Sequence, residues 1–175
     1  ETVVVAGGPC AFNPEPLCPF IDAFMLGDGE EVIVEVTDIV KECKQQGVSR
    51  LECLRRLAGL PGVYVPRFYQ DAYHQDGTFK SLTPTDACAP GRVLRRFVTD
   101  FDAAYAPTSP PVPYMQAVFD RIMLEIMRGC TRGCRFCQAG MIYRPVRERS
   151  VDTLVRLALE SVKHTGYEEI SLSSL

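Results

Sequence analysis

The residues of this chain best suited to chemistry are three cysteines within one short run. They are Cys130, Cys134 and Cys137 in Arg128-Gly129-Cys130-Thr131-Arg132-Gly133-Cys134-Arg135-Phe136-Cys137, a C-x3-C-x2-C spacing. On a tight loop the turns can bring three such thiols to one side, and Gly129 and Gly133 supply backbone angles that other residues avoid. Thiolates are ligands for soft metals. The count is informative, because a structural zinc site or a ferredoxin-type cluster usually takes a full set of protein ligands. Three thiolates on three irons of a 4Fe–4S cluster would leave the fourth iron open to a substrate or cofactor. Two other uses fit the same residues: zinc with a distant fourth ligand, and buried thiols with no metal at all.

Such a loop needs rigid elements on both sides. Residues 122–127 read as a strand, with Ile122, Leu124 and Ile126 on one face and Met123, Glu125 and Met127 on the other. Glu125, if turned inward, needs a cationic partner, and Arg128 or Arg132 can supply one. After the loop, Ser150 is a helix N-cap and Asp152 suits the first turn. Val151, Leu154, Val155, Ala158 and Val162 form the expected apolar stripe, Gly166 ends the helix, and Glu169 to Leu175 form a second strand. This β-loop-α-β order puts the cysteines at the C-terminal end of a strand, where barrel folds place their chemistry. Arg128, Arg132, Arg135, Arg144, Arg147 and Arg149 surround the loop in sequence; they fit an anionic ligand, and they equally fit loop solubility and pairing with Glu148 and Asp152.

With Phe136 directly before the last cysteine, the loop resembles the signature of the radical S-adenosylmethionine (radical SAM) enzymes. The resemblance implies a 4Fe–4S cluster on Cys130, Cys134 and Cys137, with S-adenosylmethionine on the open iron. Reductive cleavage of the cofactor would then give a 5′-deoxyadenosyl radical. It implies adenine contact for Phe136, and an electron donor such as flavodoxin or ferredoxin as partner. Many members end their second strand in Gly-Gly-Glu; here Ser171-Leu172-Ser173-Ser174-Leu175 departs from that motif, so no side-chain role is carried over to it.

The upstream chain reads as α/β. Residues 2–8, Thr-Val-Val-Val-Ala-Gly-Gly, form an apolar strand ending in two glycines, and residues 22–26 form a second strand. Asn13-Pro14 suggests a helix start. Val32, Val36, Ile39, Val40 and Cys43 mark one face of a helix that stops near Gly47. This order suggests the edge of a doubly wound domain. Together with the cysteine run and Tyr143-Arg144-Pro145, it resembles the cobalamin-binding-domain radical SAM proteins. There a Gly-Gly pair, Gly7 and Gly8 here, lies against the nucleotide tail, so the resemblance adds cobalamin to the expected cofactors. Neither His74 nor His164 sits in a cobalt-ligating motif, which is expected upstream of Glu1.

Ser49 to Glu52 is a capping box for a helix to about Ala58. Val63 to Val65 is a brief strand, Asp76-Gly77 a turn, and residues 93–98 a candidate strand. Residues 106–113, Ala-Pro-Thr-Ser-Pro-Pro-Val-Pro, look like a semi-rigid linker. The expected division is 1–47, the C-terminal part of a cobalamin-binding-like domain; 48–113, a connecting region; and 114–175, the first β-loop-α-β unit of an incomplete radical SAM barrel. Strands at both ends suggest an internal fragment, inactive alone, of a longer enzyme.

The totals set outer bounds. The chain has 175 residues, 46% of them hydrophobic, and a net charge of −3. That balance gives no overall electrostatic case for nucleic acid, although a local patch is compatible with an RNA substrate. No apolar run approaches the roughly 20 residues that span a bilayer, so no membrane role is expected. Eight cysteines, three in metal spacing, with no visible signal peptide, suggest a reducing cytoplasm. One rival function is methylthio transfer to tRNA or a ribosomal protein, for which Cys10, Cys18, Cys43, Cys53 and Cys88 would have to supply a second cluster. The other is a zinc-binding module without catalysis. The substrate itself is not written in the sequence.

Overall fold

The structure is a computed structural model and describes residues 2–115 and 118–174. The chain forms two compact units, Glu1–Phe97 and Val98–Leu175.

In the first unit, β1 (Val5–Ala6) runs parallel to β2 (Ala23–Met25). Between them the chain makes two 3₁₀ turns, Pro9–Phe12 and Glu15–Leu17. The helix expected from Asn13 does not form. Pro9, Pro14, Pro16 and Pro19 remove too many amide donors for an α-helix to propagate. Helix α1 (Gly29–Gln46) buries Val32, Val36 and Cys43, the expected face. Helix α2 (Arg50–Ala58) begins at Ser49, whose hydroxyl accepts from the Glu52 amide at 3.2 Å. The two helices pack Cys43, Cys53, Leu54 and Leu57 into one core with Ala23, Val63 and Val65.

Strand β3 (Val63–Tyr64) then pairs antiparallel with β2. The sequence reading puts this strand in the connecting region 48–113, outside the doubly wound edge, and gives it no direction. The reversal has a simple cause: two helices joined by a short link, rather than one, separate β2 from β3. A single crossover helix returns the chain parallel; a helical hairpin returns it in the opposite sense.

Residues 69–84, where only the Asp76-Gly77 turn was expected, form a hairpin of β4 (Tyr69–Tyr73) and β5 (Phe79–Pro84). Its turn is held by Gly77 N donating to His74 O at 3.0 Å and Thr78 N donating to Asp76 Oδ1 at 3.0 Å. Most of its side chains are exposed or half-buried, so its sequence lacks the alternation that betrays a strand. The candidate strand at 93–98 reduces to one bridge, Gly27 to Arg96.

In the second unit, β6 (Ile122–Arg128) is flanked by two partners. The short β7 (Arg147–Glu148) pairs antiparallel with its C-terminal end. Strand β8 (Ile170–Ser174) pairs parallel along its length, after the crossover helix α4 (Val151–Thr165). A short helix, α3 (Ala139–Ile142), follows the cysteine loop. Leu175, the last residue of the expected strand, lies outside the described residues.

The N-cap of α4 is as expected, with Ser150 Oγ accepting from Thr153 N at 3.3 Å. Its buried face is not. Leu157 and Ser161 are buried and Leu154 and Ala158 half-buried, while Val151 and Val155 are 73% and 52% exposed. The helix meets Ile122 and Leu124 of β6 through Leu157, with Ala158 packed beside it. Leu157 and Ser161 thus take the inward side, with Ala158 beside them, and Val151 and Val155 the outer. Residues 106–113 carry no regular structure but fall inside the second unit, as do residues 98–104 before them.

Candidate metal centre

The cysteine loop leaves the C-terminal end of β6, between that strand and α3. Glu125 and Arg128, three residues apart on β6, form a two-point pair: Arg128 Nε and Nη2 donate to the two carboxylate oxygens at 2.9 and 2.8 Å. This is the partner that an inward Glu125 requires, and a forked guanidinium pair fixes orientation as well as charge.

Gly129 follows with φ of 106°, and a Cβ there would stand 2.6 Å from Pro145 O and 2.7 Å from Tyr143 O. No other residue fits, on both backbone and steric grounds. The chain therefore presses against the segment before β7 one residue ahead of Cys130.

Cys130 is half-buried, and its Sγ accepts from Arg132 N at 3.4 Å. Cys134 is exposed and Cys137 half-buried, with Cys137 N donating to Cys134 O at 3.1 Å in a tight turn. Cys134 and Cys137 line a cavity of about 380 Å³ with Arg132, Arg135, Phe136 and Met141. Phe136 is 92% exposed, its ring free to stack on a flat ligand. Cys130 does not line this cavity. Among the described residues no three Cys, His, Asp or Glu side chains stand close enough together to hold a metal ion. The donor set nevertheless fits an iron–sulfur cluster in kind: three thiols on one glycine-bearing loop beside an open cavity. Convergence of the three is then coupled to binding, as is usual for loops that ligate a metal.

The six arginines from Arg128 to Arg149 divide in two. Arg128, Arg147 and Arg149 turn inward, and Arg147 and Arg149 are only 8% and 7% exposed. Arg132 and Arg135 line the cavity, and Arg144 Nη2 donates to Arg132 O at 3.3 Å. The first group serves the fold; the second leaves a cationic lining beside the thiols. Sequence reasoning missed Phe101 and Asp102. Both lie in a stretch whose Pro, Asp and Thr content reads as a connection, and only tertiary contact brings them under β7 and α4.

In the first unit, Gly7 packs against Met25, whose Cε would lie 3.5 Å from a Cβ there, and Gly8 has open space on that side at φ 88°. Near them Glu15 accepts from the Tyr64 hydroxyl at 2.6 Å and the Cys18 thiol at 3.5 Å. Burial, and then the Glu15 charge, push the Cys18 thiol up to about 12. Cys43 and Cys53 are buried between α1 and α2. Burial pushes Cys53 up to about 11, with the hydrogen bond to Cys43 adding to it.

Comparison with known proteins places both units. Residues 124–174 match the family described as the radical SAM superfamily, and residues 1–66 match radical SAM proteins, N-terminal. The chain is thus similar to radical SAM proteins in two regions, one N-terminal and one in the core. The chain is 31% identical over 173 residues to an uncharacterized protein of Methanocaldococcus jannaschii, covering 98% of this chain and 31% of that relative. It thus spans about a third of the length of the curated relative it matches. No solved structure matches. No helix among the described residues is long and apolar enough to cross a membrane.

Proposed function

We propose that the polypeptide carrying this chain is a radical SAM enzyme in which Cys130, Cys134 and Cys137 hold a 4Fe–4S cluster. The observation that carries it is the three-thiol loop at the C-terminal end of β6, inside a β-loop-α-β unit whose strands pair in parallel. When bound, the cluster supplies the electron that cleaves the sulfonium of S-adenosylmethionine. The protein's part is to bind, orient and shield. Three thiols leave one iron without a protein ligand. The exposed ring of Phe136 offers a stacking face for the adenine. Arg132 and Arg135 set positive charge in the cavity wall, where a carboxylate or another anion is favoured. A flavodoxin or ferredoxin would deliver the electron.

The test is anaerobic reconstitution of the full-length protein. Wild type is expected to take up one cluster of about four irons per chain and to form 5′-deoxyadenosine from S-adenosylmethionine under a strong reductant. Each single Cys→Ala change at 130, 134 and 137 is expected to abolish that product. Retention of cluster and product in all three variants would falsify the assignment. Iron for two clusters per chain would favour the methylthio-transferring rival. Zinc in place of iron, without visible charge-transfer absorption, would favour a non-catalytic module.

Cobalamin is the finer extension of this proposal, with Gly7 and Gly8 against its nucleotide tail. Its support is the open side of Gly8 at the end of a strand parallel to its neighbour. Reconstitution with hydroxocobalamin tests it: one cobalt retained per chain after gel filtration, lost in Gly8→Val, is the expected result. No retention by wild type withdraws it and leaves the cluster proposal standing.

A further inference from the structure

Three arginines of the second unit converge on one buried ring. Phe101 is 3% exposed, and the guanidinium carbons of Arg149, Arg128 and Arg147 stand 4.4, 5.0 and 6.0 Å from its centroid. Three cations gathered this way repel unless each is separately compensated, and each is. Glu125 holds Arg128. Arg149 Nη1 donates to Phe101 O at 2.7 Å and to Ala104 O at 3.2 Å. Arg147 Nη1 donates to Val98 O at 3.0 Å, while its Nε and Nη2 donate to Pro145 O at 3.1 Å and Tyr143 O at 3.3 Å. Asp102 Oδ1 accepts from Ser150 N at 2.7 Å. Residues 98–104, with no helix or strand of their own, are thus fastened to β6, β7 and the start of α4.

Two of the carbonyls that Arg147 holds, Pro145 O and Tyr143 O, are those against which Gly129 is pressed. Arg147 is also the register partner of Arg128 in the β6–β7 pair. One guanidinium therefore links Val98 to the surface that sets the path of the chain directly before Cys130. A plain core plug needs only volume at position 101. Here an aromatic face serves three cations, and neighbouring carbonyls serve two of them.

We propose that residues 98–104, through Phe101 and Arg147, are the positioning base of the cysteine loop, setting where Gly129 and Cys130 lie. This rests on the cluster assignment for its consequence, but not for its test. In metal-free full-length protein, the alkylation rate of each cysteine by iodoacetamide is followed by mass spectrometry. Phe101→Leu keeps an apolar side chain with most of the volume and removes the π face; Arg147→Lys keeps the charge and removes the fork. Both are expected to change labelling of Cys130 severalfold while leaving buried Cys53 at its wild-type rate. Phe101→Tyr is expected to restore the wild-type pattern. In reconstituted protein, both are expected to lose iron to a ferrous chelator severalfold faster than wild type.

Wild-type Cys130 labelling in folded Phe101→Leu and Arg147→Lys overturns the proposal. So does an equal rise at Cys53, which marks general loosening. Should Phe101→Leu fail to fold, Arg147→Lys decides alone. A wild-type protein that takes no cluster withdraws the assignment of Cys130, Cys134 and Cys137, and the labelling arm still judges this one.

Discussion

Gly129 has the narrowest tolerance of any residue at the site. Its positive φ costs an ordinary side chain about 1–2 kcal/mol, and the carbonyls of Tyr143 and Pro145 leave no room for a Cβ. Gly129→Ala is expected to lower the thermal midpoint of the second unit by several degrees and to reduce bound iron after reconstitution. Calorimetry and iron analysis on the same sample check both. Unchanged values would mean that the loop path is set elsewhere. At this scale the sequence was readable where chemistry is local. The Ser49 and Ser150 caps follow from spacing alone, because their partners are three residues away; for Glu125 the sequence offered Arg128 or Arg132, and the structure selects Arg128. Phe101 was not readable. Its partners Arg128, Arg147 and Arg149 lie on β6, on β7 and just after β7, and no periodicity in residues 98–104 points to them.

Among elements, α4 carries the test of how the core unit is assembled. Its start is closed twice, by Ser150 Oγ on Thr153 N and by Asp102 on Ser150 N. Ser150→Ala is expected to cost about 1 kcal/mol, measured by urea unfolding. The hydrogen bonds from Ser150 hold the Asp102 carboxyl below the usual carboxylate range. A group depressed in the folded state stabilises above its unfolded value and loses that contribution as pH falls through its folded value. The second unit should therefore weaken on acidification below about pH 4, and less steeply in Asp102→Asn. An equal slope in that variant would remove Asp102 from the capping account. The same helix shows why a stripe is weaker evidence than a cap. Its valines satisfy the periodicity, yet Leu157 and small Ser161 face the sheet. Hydrophobic spacing gives the period of a helix, while neighbouring volumes choose its phase. The hairpin β4–β5 escaped notice for a related reason, since no face of it is deeply buried.

For the molecule as a whole, the α/β alternation and the parallel β6–β8 crossover were legible, and the antiparallel β3 was not. Counting helices between strands, two rather than one, would have shown the reversal. The first unit also carries a pH signature of its own. Cys18 and Cys53 titrate near 9.0 when exposed and are pushed up to about 12 and about 11 by burial. Groups raised in the folded state stabilise fully below their unfolded value and lose that contribution as pH rises. Stability of the first unit should therefore decline from about pH 9 toward the folded values of about 11 and 12, and Cys18→Ala should flatten the decline. Circular dichroism melts across that range, in the presence of a thiol reductant, check it; a flat wild-type profile would contradict the burial of these thiols.

The central claim is an iron that Cys130, Cys134 and Cys137 leave without a protein ligand. Electron paramagnetic resonance of the reduced, reconstituted full-length protein tests it most directly, with spectra before and after adding S-adenosylmethionine. The account predicts a 4Fe–4S signal whose g-values and line shape change on addition of the cofactor, and which is absent from all three Cys→Ala variants. A signal indifferent to S-adenosylmethionine, or one that survives loss of any of those cysteines, would contradict it.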